Sequence, residues 1–149
     1  MISYQTLKKI LFKFEPETAH NLAEYGLRFL GKCKIAKAYM EKKNYISNPK
    51  LTQEIFGVRF ENPVGLAAGF DKNATMIKSM KSLGFGFTEI GTMTPKPQDG
   101  NPKPRMFRYP EQKSVQNAMG FNNKGAHEVL KNLKKVYPFS IPVGANIGK

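Results

Sequence analysis

The chain has 149 residues, a net charge of +13, 40% apolar residues and one cysteine. That size holds one domain with a core, or part of a larger one, and the apolar content excludes a disordered chain. A lone cysteine, Cys33, excludes an internal disulfide framework, and a reduced cytoplasmic setting is the default expectation.

Residues 1–14 carry Tyr4, Leu7, Ile10, Leu11 and Phe14 at helical spacing, with Ser3 as a cap and Lys8, Lys9 and Lys13 on the remaining surface. Such a basic amphipathic helix can lie on an anionic membrane or pack on its own domain. The same lysines interrupt the first apolar run, so no secretory signal is expected. No stretch reaches the roughly 18 to 20 apolar residues that a membrane-spanning helix needs.

Pro16 suits the first turn of a second helix, whose apolar stripe is Ala19, Leu22, Ala23, Leu27, Phe29 and Leu30, with Gly31 as its expected C-cap. Residues 33–45 read as a third helix with Ile35, Ala38, Tyr39 and Met40 on its apolar side. Asn48-Pro49 marks a boundary, so residues 1–48 form a helical extension and residues 49–149 an α/β part.

Ile55, Val58 and Phe60 around Gly57 predict a β-hairpin. Val64 to Ala68 is apolar without alternation, as in a parallel strand covered on both faces, and it closes on Gly69, Asp71 and Lys72. Asn73 is the expected cap of a helix bearing Met76, Ile77, Met80 and Leu83. A second buried strand begins at Phe87 and ends at Gly91 and Thr92. The following TPKPQDGNPKPR segment reads as a loop beside a strand end, and RMFRYP as a short strand. SVQNAMGFNNKG is rich in turn residues, a helix runs from about Lys124 to Tyr137, and IPVGANIGK supplies another buried strand ending at Asn146.

The lysines are spread through every segment, without zinc-finger spacing, an RNA-binding aromatic signature or a glycine-arginine tract. A positively charged face is expected, and no nucleic acid. Strand ends point Lys72, Thr92 and Asn146 to one rim, where α/β folds bind ligands. Gly69 permits close backbone approach, and Lys72 suits an anionic substrate or a reduced cofactor; a solvated turn lysine is the competing reading. Asn117 and the amides near Gly120 could hold a carboxylate or an amide-bearing ring, or form an ordinary polar turn. No GxGxxG, Walker loop, nucleophile–base pair or metal-ligand cluster is present, and His20 and His127 fall on separate helices. The pattern leads to an anion- and ring-binding α/β rim.

Four ordered motifs are more specific. NPVGLAAGFDKN, GFGFTEIGTMTPKPQDGNPKPRMFR, NAMGFNN and GANIGK together resemble the N-terminal portion of a dihydroorotate dehydrogenase, and EPETAH in the preceding helices is similar to the extension of the quinone-using class 2 enzymes. The resemblance implies about the first three strands of a (β/α)8 TIM barrel, with FMN at the carboxyl ends of the strands. It implies oxidation of dihydroorotate to orotate in pyrimidine synthesis, with electrons passed to a membrane quinone at the cytoplasmic face of the cell membrane. Ala68, Gly69, Phe70, Asp71, Lys72, Thr92 and Asn146 would touch FMN. Lys72 and Asn117, Ala118, Met119, Gly120 and Phe121 would meet the substrate, and His20 and Arg108 match quinone-tunnel positions. The family's catalytic serine would lie beyond Lys149, so no catalytic base is expected within these residues, and the chain alone is expected to be inactive. The alternatives are a non-catalytic basic module for an anionic membrane or nucleic acid, and another FMN-barrel oxidoreductase.

Overall fold

A computed structural model describes residues 3–149; Met1, Ile2 and the side chain of Tyr4, expected on the apolar face of the first helix, lie outside the described residues. Three helices come first: α1 (Tyr4–Leu11), α2 (Pro16–Lys32) and α3 (Lys34–Asn44). The Ser3 hydroxyl accepts from the Thr6 amide and starts α1 as the sequence predicts. α1 stops at Leu11, so Phe14 falls in the connection to α2. Cys33 is the junction between α2 and α3.

Gly31 is not the cap of α2 but a residue within it. A Cβ there would lie 2.9 Å from Ser79 Oγ and 3.1 Å from Lys78 Cβ, so its missing side chain lets α2 approach the next layer. Ile35 and Tyr39, expected to be inward on α3, are largely exposed; α3 packs by its other side against residues 81–83.

β1 (Gln53–Ile55) and β2 (Val58–Phe60) form the expected antiparallel hairpin, turning at Phe56 and Gly57, both with positive φ. The main sheet is parallel, in the order β3 (Gly65–Leu66), β4 (Phe87–Met93), β7 (Val143–Ile147), with Leu66 opposite Thr88 and Ile90 opposite Ala145. β3 has only two residues, and Val64 and Ile147 are exposed. The two outer strands pair on one side each, so the burial expected for strands covered on both faces holds only for β4.

α4 (Ile77–Met80) continues as a 3-10 turn, Lys81–Leu83. Its start is held by Asp71, whose carboxylate accepts from the Thr75 amide (2.8 Å) and the Met76 amide (2.9 Å). Asn73, the expected cap, instead accepts from the Lys124 amide through its side chain and from Asn132 Nδ2 through its carbonyl. β5 (Met106–Tyr109) pairs with β6 (Ser114–Asn117), so residues 114–117 are a strand where turn residues were expected. α5 (Gly125–Val136) follows, with Val129 fully buried but Leu130 half exposed.

The core has two parts. Ala74, Ile77, Ile90 and Val129 fill the space between β4, α4 and α5, joined by Leu133 and Val143. Met76, Met80 and Ile141 meet Leu27 of α2, Leu66, Phe70 and Phe85, which fastens the helical extension to the sheet. Each such side chain contributes about 1.5–3 kcal/mol by leaving water. Among the described residues no helix is long and apolar enough to cross a membrane.

Candidate active site

The carboxyl ends of β3 and β4 are bonded into one rim. The Gly69 amide donates to Gly91 O (2.7 Å), and the Gly91 amide donates to Asp71 O (3.1 Å). These bonds set the turn that carries Lys72. Gly69 has φ +102°, and a Cβ built on it would meet no atom within 4 Å, because it would project into open space.

That space is a cavity of about 540 Å³ lined by Gly69, Lys72, Thr92, Met106 and residues 117–122, with Asn101 opposite. Glycine, lysine and threonine therefore share this cavity with the Asn117–Phe121 segment. Asn146 joins at the edge: the Thr92 hydroxyl donates to Asn146 Oδ1 (2.6 Å), and Asn146 Nδ2 donates to Glu89 Oε1 (2.9 Å).

Lys72 is half-buried and makes no salt bridge among the described residues. Burial holds its ammonium below the usual lysine value; Glu17 and Glu24 oppose the shift and Arg105 adds to it. A partly desolvated lysine without a salt bridge among the described residues, beside a cavity, has the chemistry to hold an anion. The buried Asn122 Oδ1 has no hydrogen-bond partner and lines the same space. Asp71 behaves differently. It is fully buried, both carboxylate oxygens are engaged at the start of α4, and desolvation raises its pKa. Its side chain is spent on structure.

Behind Lys72 lies a second cavity of about 100 Å³, shared by Glu17, His20 and Glu24 of α2 with Phe70, Lys72, Met106 and Asn122. The His20 ring meets Phe70 edge-on, with centroids 4.9 Å apart. Desolvation, then the Lys72 charge, lowers the His20 pKa. Arg108 is not in either cavity. It shares a face of β5 with Met106, donates to Phe14 O (2.9 Å) and sits 4.6 Å from the Phe12 ring centre. His20 and Arg108 thus occupy different places, bridged by the Met106–Arg108 face of β5.

Two supporting residues lie within the family-like segments but are not among the site residues read from the sequence. Asn101 donates to Ala118 O (2.9 Å) through its side chain and to Met119 O (3.1 Å) through its amide. Asn123 is buried; its Oδ1 accepts from the Thr94 and Gly125 amides, and its Nδ2 donates to Thr94 Oγ1 and Phe121 O. They shape the 117–121 segment from both ends. The sequence reads Asn123 only as a turn residue and Asn101 only as part of an irregular loop.

Crossover helices, parallel strands and a cation-bearing cavity at the strand ends define an α/β protein with a candidate ligand site on the rim of its sheet. Residues 50–149 match the family model of dihydroorotate dehydrogenase. The chain is 60% identical over 149 residues to a protein of Sulfurimonas denitrificans named dihydroorotate dehydrogenase (quinone), covering 100% of this chain and 42% of that one. A Sulfurovum protein of the same name is 59% identical over 147 residues, covering 99% and 42%. The crystal structure of the Eimeria tenella dihydroorotate dehydrogenase in complex with ferulenol superposes with a TM-score of 0.73 at 39% identity, covering 90% of this chain and 36% of that one. The chain belongs to the dihydroorotate dehydrogenase family, and it spans about two-fifths of the length of these curated relatives.

Proposed function

We propose that this chain supplies the helical extension and the first strands of a (β/α)8 barrel in an enzyme that oxidises dihydroorotate to orotate and passes the electrons to a membrane quinone. The supporting observation is the meeting of Gly69, Lys72, Thr92 and Asn117–Phe121 around one cavity. The relatives named for a quinone, 60% and 59% identical, lend support. On this reading residues 49–149 are barrel, and residues 1–48 are the quinone- and membrane-facing extension.

The residues fit FMN. Ala68 to Lys72, Thr92 and Asn146 would hold it, with Gly69 leaving room for a flat ring and Asp71 contributing through the backbone it fixes. Bound there, the flavin supplies a two-electron hydride acceptor. Lys72 offers a positive charge to both flavin and substrate and stabilises negative charge that develops during the transfer. Asn117 and the amides near Gly120 would orient the orotate ring and carboxylate. His20 and Arg108 would line the quinone's approach. Leu7, Ile10, Leu22, Tyr25 and Phe29 expose an apolar surface on α1 and α2 that suits peripheral attachment at the cytoplasmic face of the membrane.

The test uses the chain extended to the length of its relatives. A visible flavin spectrum and quinone reduction by dihydroorotate are expected; a colourless protein without turnover would overturn the reading. In that protein Lys72→Ala should slow flavin reduction on the order of 10²-fold, and a near-normal rate would remove Lys72 from its role. The 149-residue chain alone should not turn over.

A further inference from the structure

The loop between β4 and β5 has no regular structure after Gln98, yet it lies along the segment assigned to the substrate. Gln98 and Asn123 exchange backbone hydrogen bonds (3.0 and 2.9 Å). The Asn101 amide donates to Met119 O (3.1 Å), and the Ala118 amide donates to Arg105 O (2.9 Å). A Cβ on Gly100 would fall 2.2 Å from Met119 O, so the two segments touch through backbone.

The loop takes its shape from one guanidinium. Arg105 is 7% exposed, and its Nη1 donates to Asp99 O (2.6 Å) and Asn101 O (2.9 Å). Its other two nitrogens engage a single carboxylate: Nη2 donates to Glu17 Oε1 (2.7 Å) and Nε to Glu17 Oε2 (3.2 Å). This side-on fork fixes the plane of the guanidinium, which a point charge could not do. Glu17 is in the first turn of α2 and belongs to the extension. Among the described residues, none of the extension lines the 540 Å³ cavity.

We propose that Glu17 and Arg105 are positioning residues for the substrate segment: the helical extension sets the shape of Asn117–Gly120 through the relay Glu17, Arg105, Asn101. This rests on the proposed function, in which that segment holds dihydroorotate. Glu17 fixes the guanidinium, the guanidinium fixes the carbonyls of 99 and 101, and Asn101 fixes those of 118 and 119. Without Glu17 a buried cation loses its counter-charge and turns toward water, releasing both carbonyls.

The test compares Glu17→Gln, Arg105→Lys and Lys103→Ala in the extended protein, following the two half-reactions separately. Flavin reduction should lose at least about tenfold in apparent dihydroorotate affinity in the first two variants, as a displaced substrate contact would cause. Flavin content and reoxidation by a soluble quinone should be unchanged. Arg105→Lys keeps the charge, so near-normal affinity there would reduce the pair to a simple ion pair. Lys103 meets the same carboxylate from an exposed position (3.4 Å) and bonds neither loop carbonyl, so Lys103→Ala should remain within about twofold. Unchanged reduction in Glu17→Gln, or an equal fall in both half-reactions with loss of flavin, would overturn the proposal. If the extended wild-type protein neither holds flavin nor turns over dihydroorotate, the functional reading fails and the relay is judged by amide exchange in the 149-residue chain. Glu17→Gln should then speed exchange of the Asn101 and Ala118 amides at least about tenfold with β4 unchanged, and equal protection would overturn the relay.

Discussion

Glu17 and His20 are one helical turn apart on α2, and both titrate away from their ordinary ranges. The Arg105 hydrogen bonds hold the Glu17 carboxyl below the usual glutamate value, against the opposing effect of its burial. A carboxylate depressed on folding stabilises the protein above its unfolded pKa, and that stability disappears as pH falls through the folded value. Denaturant midpoints measured from pH 6 downward should therefore drop through and below the ordinary glutamate range, and the drop should be shallower in Glu17→Gln. Breaking this pair leaves Arg105, 7% exposed, without its bidentate counter-charge and should destabilise the fold. For His20, burial and Lys72 lower the pKa, so the folded protein holds a neutral imidazole where an exposed histidine would already be charging. NMR of the His20 ring should show its midpoint below the ordinary histidine value, moving up in Lys72→Ala; no movement would separate the two groups.

Among the elements, the contrast between two glycines of α2 is directly measurable. Nothing lies within 4 Å of a Cβ added at Gly26, whereas one at Gly31 would press on Ser79, whose hydroxyl bonds Leu27 O. Gly26→Ala should stabilise by about 0.5–1 kcal/mol through helix propensity. Gly31→Ala should destabilise by about 1 kcal/mol, because overpacking between α2 and α4 exceeds the same gain. Urea midpoints would decide both signs. Elements governed by local chemistry were legible in the sequence: the Ser3 cap, the Phe56-Gly57 hairpin and α5 up to Pro138. Those set by distant partners were not. Asn73 does not cap α4 because Lys124 and Asn132, far along the chain, claim it, while Asp71 holds the Thr75 and Met76 amides ahead of the helix. β6 forms because residues 106–109 offer it an edge, and propensity at Asn117 carries no record of that. The cavity's Gly69, Lys72 and Thr92 were readable because each lies at or just past the carboxyl end of an apolar strand. Asn101, Asn123 and the Glu17–Arg105 fork join segments that only the folded chain brings together, the last across 88 positions.

At the scale of the whole molecule, the lysines scattered along the sequence converge. Arg28, Lys32, Lys34, Lys37, Lys78 and Lys135 line two adjoining hollows that share Gly31, Lys32, Lys78 and Val136, with no acidic residue in either lining. Beside them stand the exposed Tyr25, Phe29, Ile35 and Tyr39. Vesicles containing anionic phospholipid should capture the 149-residue chain more strongly than zwitterionic ones, and the difference should shrink as salt is raised through the range where the Debye length falls from about 30 Å to 3 Å. Equal capture by both vesicle types would assign attachment to the apolar surface alone.

Among the described residues the parallel sheet pairs no strand beyond β3 or β7. β3 and β7 each spend one row of amides and carbonyls on β4 and keep the other row. A row of that kind accepts any extended peptide, including the same row of another copy. Copies of the 149-residue chain are therefore expected to pair through these edges. Light scattering should grow with concentration and time, and Ile147→Lys, which puts a charge on a 76% exposed position of that edge, should slow it.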